Sequence, residues 1–319
     1  ASVELLCNLP LSSRPSPGVR WLYSTCDECG RIRALIEQLV TIESDLARVD
    51  PGARETAVEQ VANLKGQLLD VLCDALSSGD GPVRRAAAYG LSKLQDVQAV
   101  PVLARALSDS DETVRGWAVE ALARCSSPLV VDPLVRALGD ESVYVYYSAC
   151  NALRSIHADD VRPALQRELL SSEPTVRKRA AKLLGDMGEA EAVPHLVSLT
   201  TDPDAGVRYE AVEALRKIGD SRAVDALIGC LDDESHEVRL GAVQALRWAG
   251  DLRAVEPLVA VCLENEELRL LAIQALREIA GDEAISPVVV ALRESRELVR
   301  ATAAKILGLS RRSHKIGVS

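Results

Sequence analysis

Phenylalanine is absent from this chain of 319 residues, methionine occurs once, and aromatic side chains make up only 3%. Large rings ordinarily fill a thick globular centre, so this core has to be built from Ala, Val, Leu and Ile between closely approaching helices. Basic residues are outnumbered: 37 Lys and Arg against 47 Asp and Glu give a formal charge of −10, which argues against a general affinity for nucleic acid or acidic lipid. No apolar run comes near the ~18 residues needed to span a bilayer. The opening stretch lacks the basic start and apolar segment of a secretory signal, and the expected location is cytoplasmic. There is no phosphate-binding loop, no nucleophile elbow and no cluster of His, Asp and Ser that could form a triad, so no catalytic residue is assigned. Eight irregularly spaced cysteines do not make a disulfide framework in a long chain. Cys73, Cys125, Cys150, Cys230 and Cys262 read as small interior fillers or helix-end residues.

What the chain does have is a period. Leu91, Leu122, Leu153, Leu184, Leu215 and Leu246 recur every 31 residues, followed by Leu276 (one residue short) and Leu307, within the pattern Val-Arg-x-x-Ala-x-x-Ala-Leu. A fixed period of this length means stacked helical pairs, each burying its apolar face only against its neighbours. Pro101, Pro133, Pro163, Pro194, Pro257 and Pro287 fall in the first turn of the first helix of each pair, where a missing amide hydrogen costs little. Gly188, Gly219, Gly250 and Gly281 lie just past the second helix, where a left-handed cap favours glycine. Asp and Ser crowd the turns between helices and cap the second helix of each pair. In one repeat the first helix is expected over 190–199, the turn over 200–206 and the second helix over 207–218.

Carried backwards, the register makes 53–61 the second helix of a degenerate repeat whose first helix covers 32–47. The expected architecture is an all-α, right-handed α-solenoid of about nine helical pairs over 31–309. An irregular N-terminal arm or cap occupies 1–30, and a basic, disordered tail 310–319. The Asp- and Glu-rich turn, the Val-Arg pair and Ala-Leu-x-x-Ile-Gly-Asp resemble HEAT repeats of the kind named after phycobilisome lyases. That resemblance implies the fold, and places positions three, four, seven and eleven of each second helix, counted from the Val of Val-Arg, on a concave face.

Those positions hold five of the nine aromatic residues, Tyr89, Trp117, Tyr147, Tyr209 and Trp248, with Tyr144 and Tyr146 beside Tyr147. Further along, the ridge turns aliphatic at Leu240, Leu270 and Leu271. Rings with a polar handle and a row of leucines suit a protein contact. Lys178, Arg179 and Lys182 form the densest basic spot of a ridge that is net positive, and could clamp a carboxylate or phosphate. The Arg at position two, from Arg84 to Arg300 with Tyr146 as the one exception, suits a ladder of bridges between repeats.

Metal binding is not assigned. Cys26 and Cys29, with Cys7 upstream, offer at most three thiolates and no nearby His, whereas a structural zinc site wants four ligands. Deoxyhypusine hydroxylases, which share the repeat, carry His-Glu pairs at positions three and four; here His236-Glu237 falls outside that register. Two functions remain. The first is a non-catalytic protein-binding scaffold with no cofactor. The second, implied by the resemblance, is an E/F-type phycobilin lyase or bilin-handling chaperone acting on phycobiliproteins. It would bind a linear tetrapyrrole such as phycocyanobilin, with Arg179 and Lys182 meeting the propionates. Leu307 and Leu309 in the last repeat would tolerate a second, unlike chain.

Overall fold

The structure is a computed structural model that describes residues 30–32, 34 and 54–279, with side chains for all of these except 54–60, 263 and 264. The thiols of Cys7, Cys26 and Cys29, nearly all of the expected arm and of the 32–47 helix, the basic tail, Pro287, Gly281, Arg300, Leu307 and Leu309 lie outside the described residues. Among the described residues there is no strand, and no helix is long and apolar enough to cross a membrane. The fold is an all-α solenoid of helical repeats. Contacts gather into two compact units, 1–160 and 161–319.

In the first unit the order is α1 (Arg54–Ala75), α2 (Gly81–Leu94), α3 (Val100–Ala106), α4 (Glu112–Arg124), α5 (Val131–Arg136) and α6 (Val143–Arg154). Helix α7 (Ala158–Glu168) runs across the division. The second unit continues with α8 (Pro174–Met187), α9 (Val193–Leu199), α10 (Ala205–Ile218), α11 (Val224–Gly229), α12 (His236–Ala249), α13 (Val255–Glu264) and α14 (Arg269–Ile279). Within each unit, successive second helices pack side by side, α2 on α4 on α6 and α8 on α10 on α12 on α14.

Three local features differ from the expected pattern. The degenerate second helix expected over 53–61 does not end there; it runs on as the 22-residue α1. The α1 sequence contains one glycine and no proline, so nothing breaks the hydrogen-bond ladder. The first helices of most pairs open with a short 3-10 turn, as Ala190–Ala192 does before α9. Pro101 and Pro194 come directly after that turn, at the second residue of α3 and α9. Pro163 is the exception: α7 starts without a 3-10 turn, which leaves this proline inside the helix rather than in its first turn. Helix α10 begins at Ala205, two residues before the expected start, because the Asp204 carboxylate accepts the Val207 amide as a cap.

The glycine punctuation has a backbone cause. Gly188, Gly219 and Gly250 take φ of 72, 69 and 64°, the left-handed region that closes α8, α10 and α12. Gln95 takes the same conformation, φ 55°, at the end of α2 without the help of glycine.

The core keeps to the period. Leu91, Leu122, Leu153, Leu184, Leu215, Leu246 and Leu276 are all at most 1% exposed, and full burial of such a side chain contributes about 2 kcal/mol. Position six is buried as well, at Ala88, Val119, Cys150, Ala181, Val212 and Val243, since each second helix touches both its own first helix and the second helices beside it. The backbones of α8 and α10 approach closely at Gly185, where a Cβ would lie 2.5 Å from Ala214 Cα. Only a glycine lets the two backbones approach this far.

Four of the position-two arginines form the expected ladder, whereas the Nε of Arg239 has no hydrogen-bond partner and that of Arg269 donates to the Cys262 carbonyl. Arg84, Arg115, Arg177 and Arg208 each donate from Nε to an aspartate 25 residues on (Asp109, Asp140, Asp202 and Asp233) at 2.7 to 2.8 Å. A second bond from Nη2 to the other oxygen makes each pair bidentate. Nη1 reaches back to carbonyls in the preceding turn, as Arg208 does to Asp202 and Pro203. Each carboxylate also accepts the amide two residues later, which fixes the turn. Where Tyr146 replaces the arginine, the residue 25 positions on is Ser171, so neither charge is present at that step.

Candidate partner-binding ridge

In the first unit, α2, α4 and α6 bring five rings onto neighbouring helices. Tyr89 and Trp117 are half-buried and meet edge to face, centroids 4.9 Å apart and planes at 80°. Lys93, one turn along α2, places Nζ 5.0 Å from the centre of the Tyr89 ring. The ring of Tyr144 rests where a Cβ on Gly116 would stand, 2.5 Å from its Cε1, so this glycine next to Trp117 makes room for it. Tyr147 packs on Tyr146 at 5.0 Å. Tyr146, in the arginine place, is 8% exposed, while Tyr144 and Tyr147 remain 58% and 53% exposed. A ring held by its neighbours yet open on one face loses little freedom when it is covered.

The charges of this ridge are largely matched. Arg85 pairs with Asp111 of the next turn at 3.5 Å, and Arg124 with Glu120 at 2.9 Å.

In the second unit, α8, α10, α12 and α14 present the remaining residues. Tyr209 is partly exposed, with its ring beside Gly241. Burial raises its phenol above the ordinary range, and the charges of Glu213 and Glu210 add to the effect. Trp248 and Leu270 stand out at 69% and 73% exposed; Leu240 and Leu271 are half-buried. Lys178 is exposed, Arg179 and Lys182 are half-buried, and acids interleave with them. Lys182 Nζ lies 4.0 Å from Glu210, and Lys217 bonds Asp186 at 2.6 Å. Burial pushes the Glu210 carboxyl up despite Lys182, Lys217 and Lys178. The basic spot read from spacing is thus threaded with acids, which leaves Lys178 as its outermost cation. His236 Nδ1 faces Glu267 at 3.1 Å on the surface.

Among the described residues, no group of three or more His, Cys, Asp and Glu side chains is placed to hold a metal ion. Cys125, Cys150, Cys230 and Cys262 are buried free thiols, and Cys73 is half-buried. Burial pushes the Cys230 thiol up to about 11 and the Cys262 thiol up to about 12, which keeps both protonated and unreactive.

The register gave the places of these residues on the second helices but not the residues that support them. Gly116 under Tyr144 and Gly241 beside Tyr209 could have been noticed as small residues at position three or four, adjoining large ones. The acids between the lysines were visible as Asp186 and Glu210, yet their pairing depends on how neighbouring helices face each other.

HEAT repeats match the chain in overlapping stretches, 41–123, 104–171, 131–216, 167–247 and 198–267. No curated protein matches it. Among solved structures it is similar to an engineered protein (25% identity, 91% of this chain and 87% of that one, TM-score 0.44). It is also similar to Kap95p in a complex with RanGDP, at 14% identity and TM-score 0.51, over 93% of this chain and 45% of that chain. A third similar structure is the complex of CpcE and CpcF of phycocyanin lyase from Nostoc sp. PCC7120 (22% identity, 70% of this chain and 92% of that one, TM-score 0.32). With its repeats matched from residue 41 to residue 267, the chain belongs to the HEAT-repeat family.

Proposed function

We propose that the chain is a non-catalytic scaffold that holds a protein partner on the exposed face of its second helices. The observation that carries this reading is the ring cluster of the first unit. Tyr144 and Tyr147 stay more than half exposed, although Tyr146 and Gly116 beneath them have been given up to seat them. Aromatic residues with a polar tip, fixed in place, are the usual anchors of protein interfaces. Within the second unit, taken by itself, Trp248 and Leu270 are likewise large apolar side chains left exposed.

A linear tetrapyrrole is the second reading. Its support is the Tyr89–Trp117 pair with Lys93 beside it, which offers ring faces and a cation for a propionate.

One experiment addresses both. The wild-type chain and the Trp117→Ala and Tyr147→Ser variants are used to capture proteins from the native host, with Arg222→Ala as a surface control. A protein retained by wild type and control but lost from both ring variants supports the scaffold; equal capture by all four overturns it. Phycocyanobilin is titrated into the same proteins. A sharpened, red-shifted visible band that disappears in Trp117→Ala would favour the bilin reading.

A further inference from the structure

Gly229, the last residue of α11, shares none of the reasons that place the other glycines. It does not take the left-handed φ of the helix caps, and a Cβ built on it would meet nothing within 4 Å. Glycine weakens a helix relative to alanine, so neither backbone nor packing explains it. What it does is open a cavity of about 720 Å³ within the second unit, between the turn that follows α9 and the end of α11.

The period shows which side chain is missing. The same position of the first helices reads Arg105, Arg136 and Arg167, then Ser198, Gly229 and Ala260. Arg105 reaches over the preceding first helix, because its charge opposes the rise that burial causes in the Cys73 thiol. Cys73 lies 32 residues before Arg105, and Val197, which lines the cavity, lies 32 residues before Gly229. The chain thus places an arginine of its own at the earlier step and an open space at the later one.

The polar lining of that space can accept hydrogen bonds but has no donors left. The five N–H groups of Arg208 are spent on Asp233, Glu234 and the carbonyls of Asp202 and Pro203. The Thr200 and Thr201 hydroxyls donate to the Val197 and Ser198 carbonyls at 2.8 and 3.1 Å, so towards a ligand their oxygens can only accept. Three carboxylates, Asp202, Asp233 and Glu234, stand against two arginines, Arg177 and Arg208. Glu234 is the outermost, its side chain 84% exposed.

We infer that this cavity receives an arginine side chain from a partner protein. The guanidinium brings donors to a lining that lacks them and one positive charge to a lining with one negative charge in excess. Val197, Pro203 and Ala226 cover the aliphatic stem. The site is separate from the ring cluster and does not depend on it.

The test is an NMR titration of the full-length, 15N-labelled chain with acetyl-Gly-Gly-Arg-Gly-Gly-amide, and with the same peptide carrying citrulline, which is neutral and nearly isosteric. Saturable shifts of the Thr201 and Gly229 amides with the arginine peptide, at least tenfold weaker with citrulline, are the expected result. Gly229→Arg fills the cavity from within and is expected to weaken the peptide at least tenfold while keeping the melting temperature. Glu234→Gln is a second, exposed change expected to weaken it severalfold, and Trp117→Ala should leave it unchanged. Absence of saturable shifts at these two amides overturns the inference, and so does equal binding of the two peptides. Wild-type binding by a folded Gly229→Arg, or by Glu234→Gln, overturns it as well.

Discussion

Gly185 of α8 lies so close to Ala214 of α10 that a Cβ at position 185 would fall 2.5 Å from Ala214 Cα and 2.6 Å from its Cβ. Neither obstacle is a flexible side-chain end, so the helices themselves have to part. Gly185→Ala is expected to destabilise the chain by about 1–3 kcal/mol. Gly241→Ala, whose Cβ would stand 3.3 Å from Val212 Cγ1, is expected to cost clearly less. Urea unfolding of the two variants side by side measures the difference, and equal midpoints would contradict the close approach.

The ladder predicts a second difference. Arg208 and Asp233 are 7% and 9% exposed, and Arg208→Ala strands a nearly buried carboxylate. The expected loss is about 3 kcal/mol. Arg222 pairs with Asp220 in the open, and Arg222→Ala is expected to leave the melting curve unchanged.

Acid should undo the same ladder. Burial alone would raise Asp109, Asp202 and Asp233, but the arginine bonds and the turn amides outweigh it and hold all three below the ordinary carboxylate range. A depressed folded pKa contributes stability that is complete above the unfolded value and is lost as pH falls through the folded one. Stability is therefore expected to be level near neutrality and to drop below about pH 4, where an unfolded aspartate takes up its proton. Asp233→Asn should flatten part of that drop. A pH series of urea midpoints for both chains decides it.

On the ridge, Lys178→Glu combined with Arg179→Glu is expected to weaken partner binding and leave the melting temperature unchanged. Binding equal to wild type would remove the basic spot from the recognition surface.

Thiol chemistry gives an independent check on packing. With the Cys230 and Cys262 thiols pushed up to about 11 and about 12 by burial, iodoacetamide should label neither in the folded chain at pH 8. Half-buried Cys73 should react first among the described cysteines. Site-by-site mass spectrometry reads the order.

The repeat was legible because its signals are local and recur: Leu at one position, Arg at another, Gly at the cap. Each reports the chain's own helix or turn. Interactions that join one repeat to the next were legible only where they also recur, as with the arginine ladder. Singular features escaped. Nothing in Arg239 itself distinguishes it from Arg208, yet its Nε is buried without a hydrogen-bond partner whereas that of Arg208 bonds Asp233. The unbroken α1 escaped for a related reason, since the Val-Arg-like pattern at 53–61 suggested a turn beyond it that the residues up to Ala75 do not supply.

Because Arg84, Arg115, Arg177 and Arg208 each reach 25 residues forward, the natural seams of this stretch do not coincide with its period. A truncation or graft placed just after a second helix would sever Arg208 from Asp233 and leave a cation exposed at the cut. Fragments that end after the next turn, beyond Ser235, keep their terminal arginine answered and are the ones to express when this array is shortened or spliced.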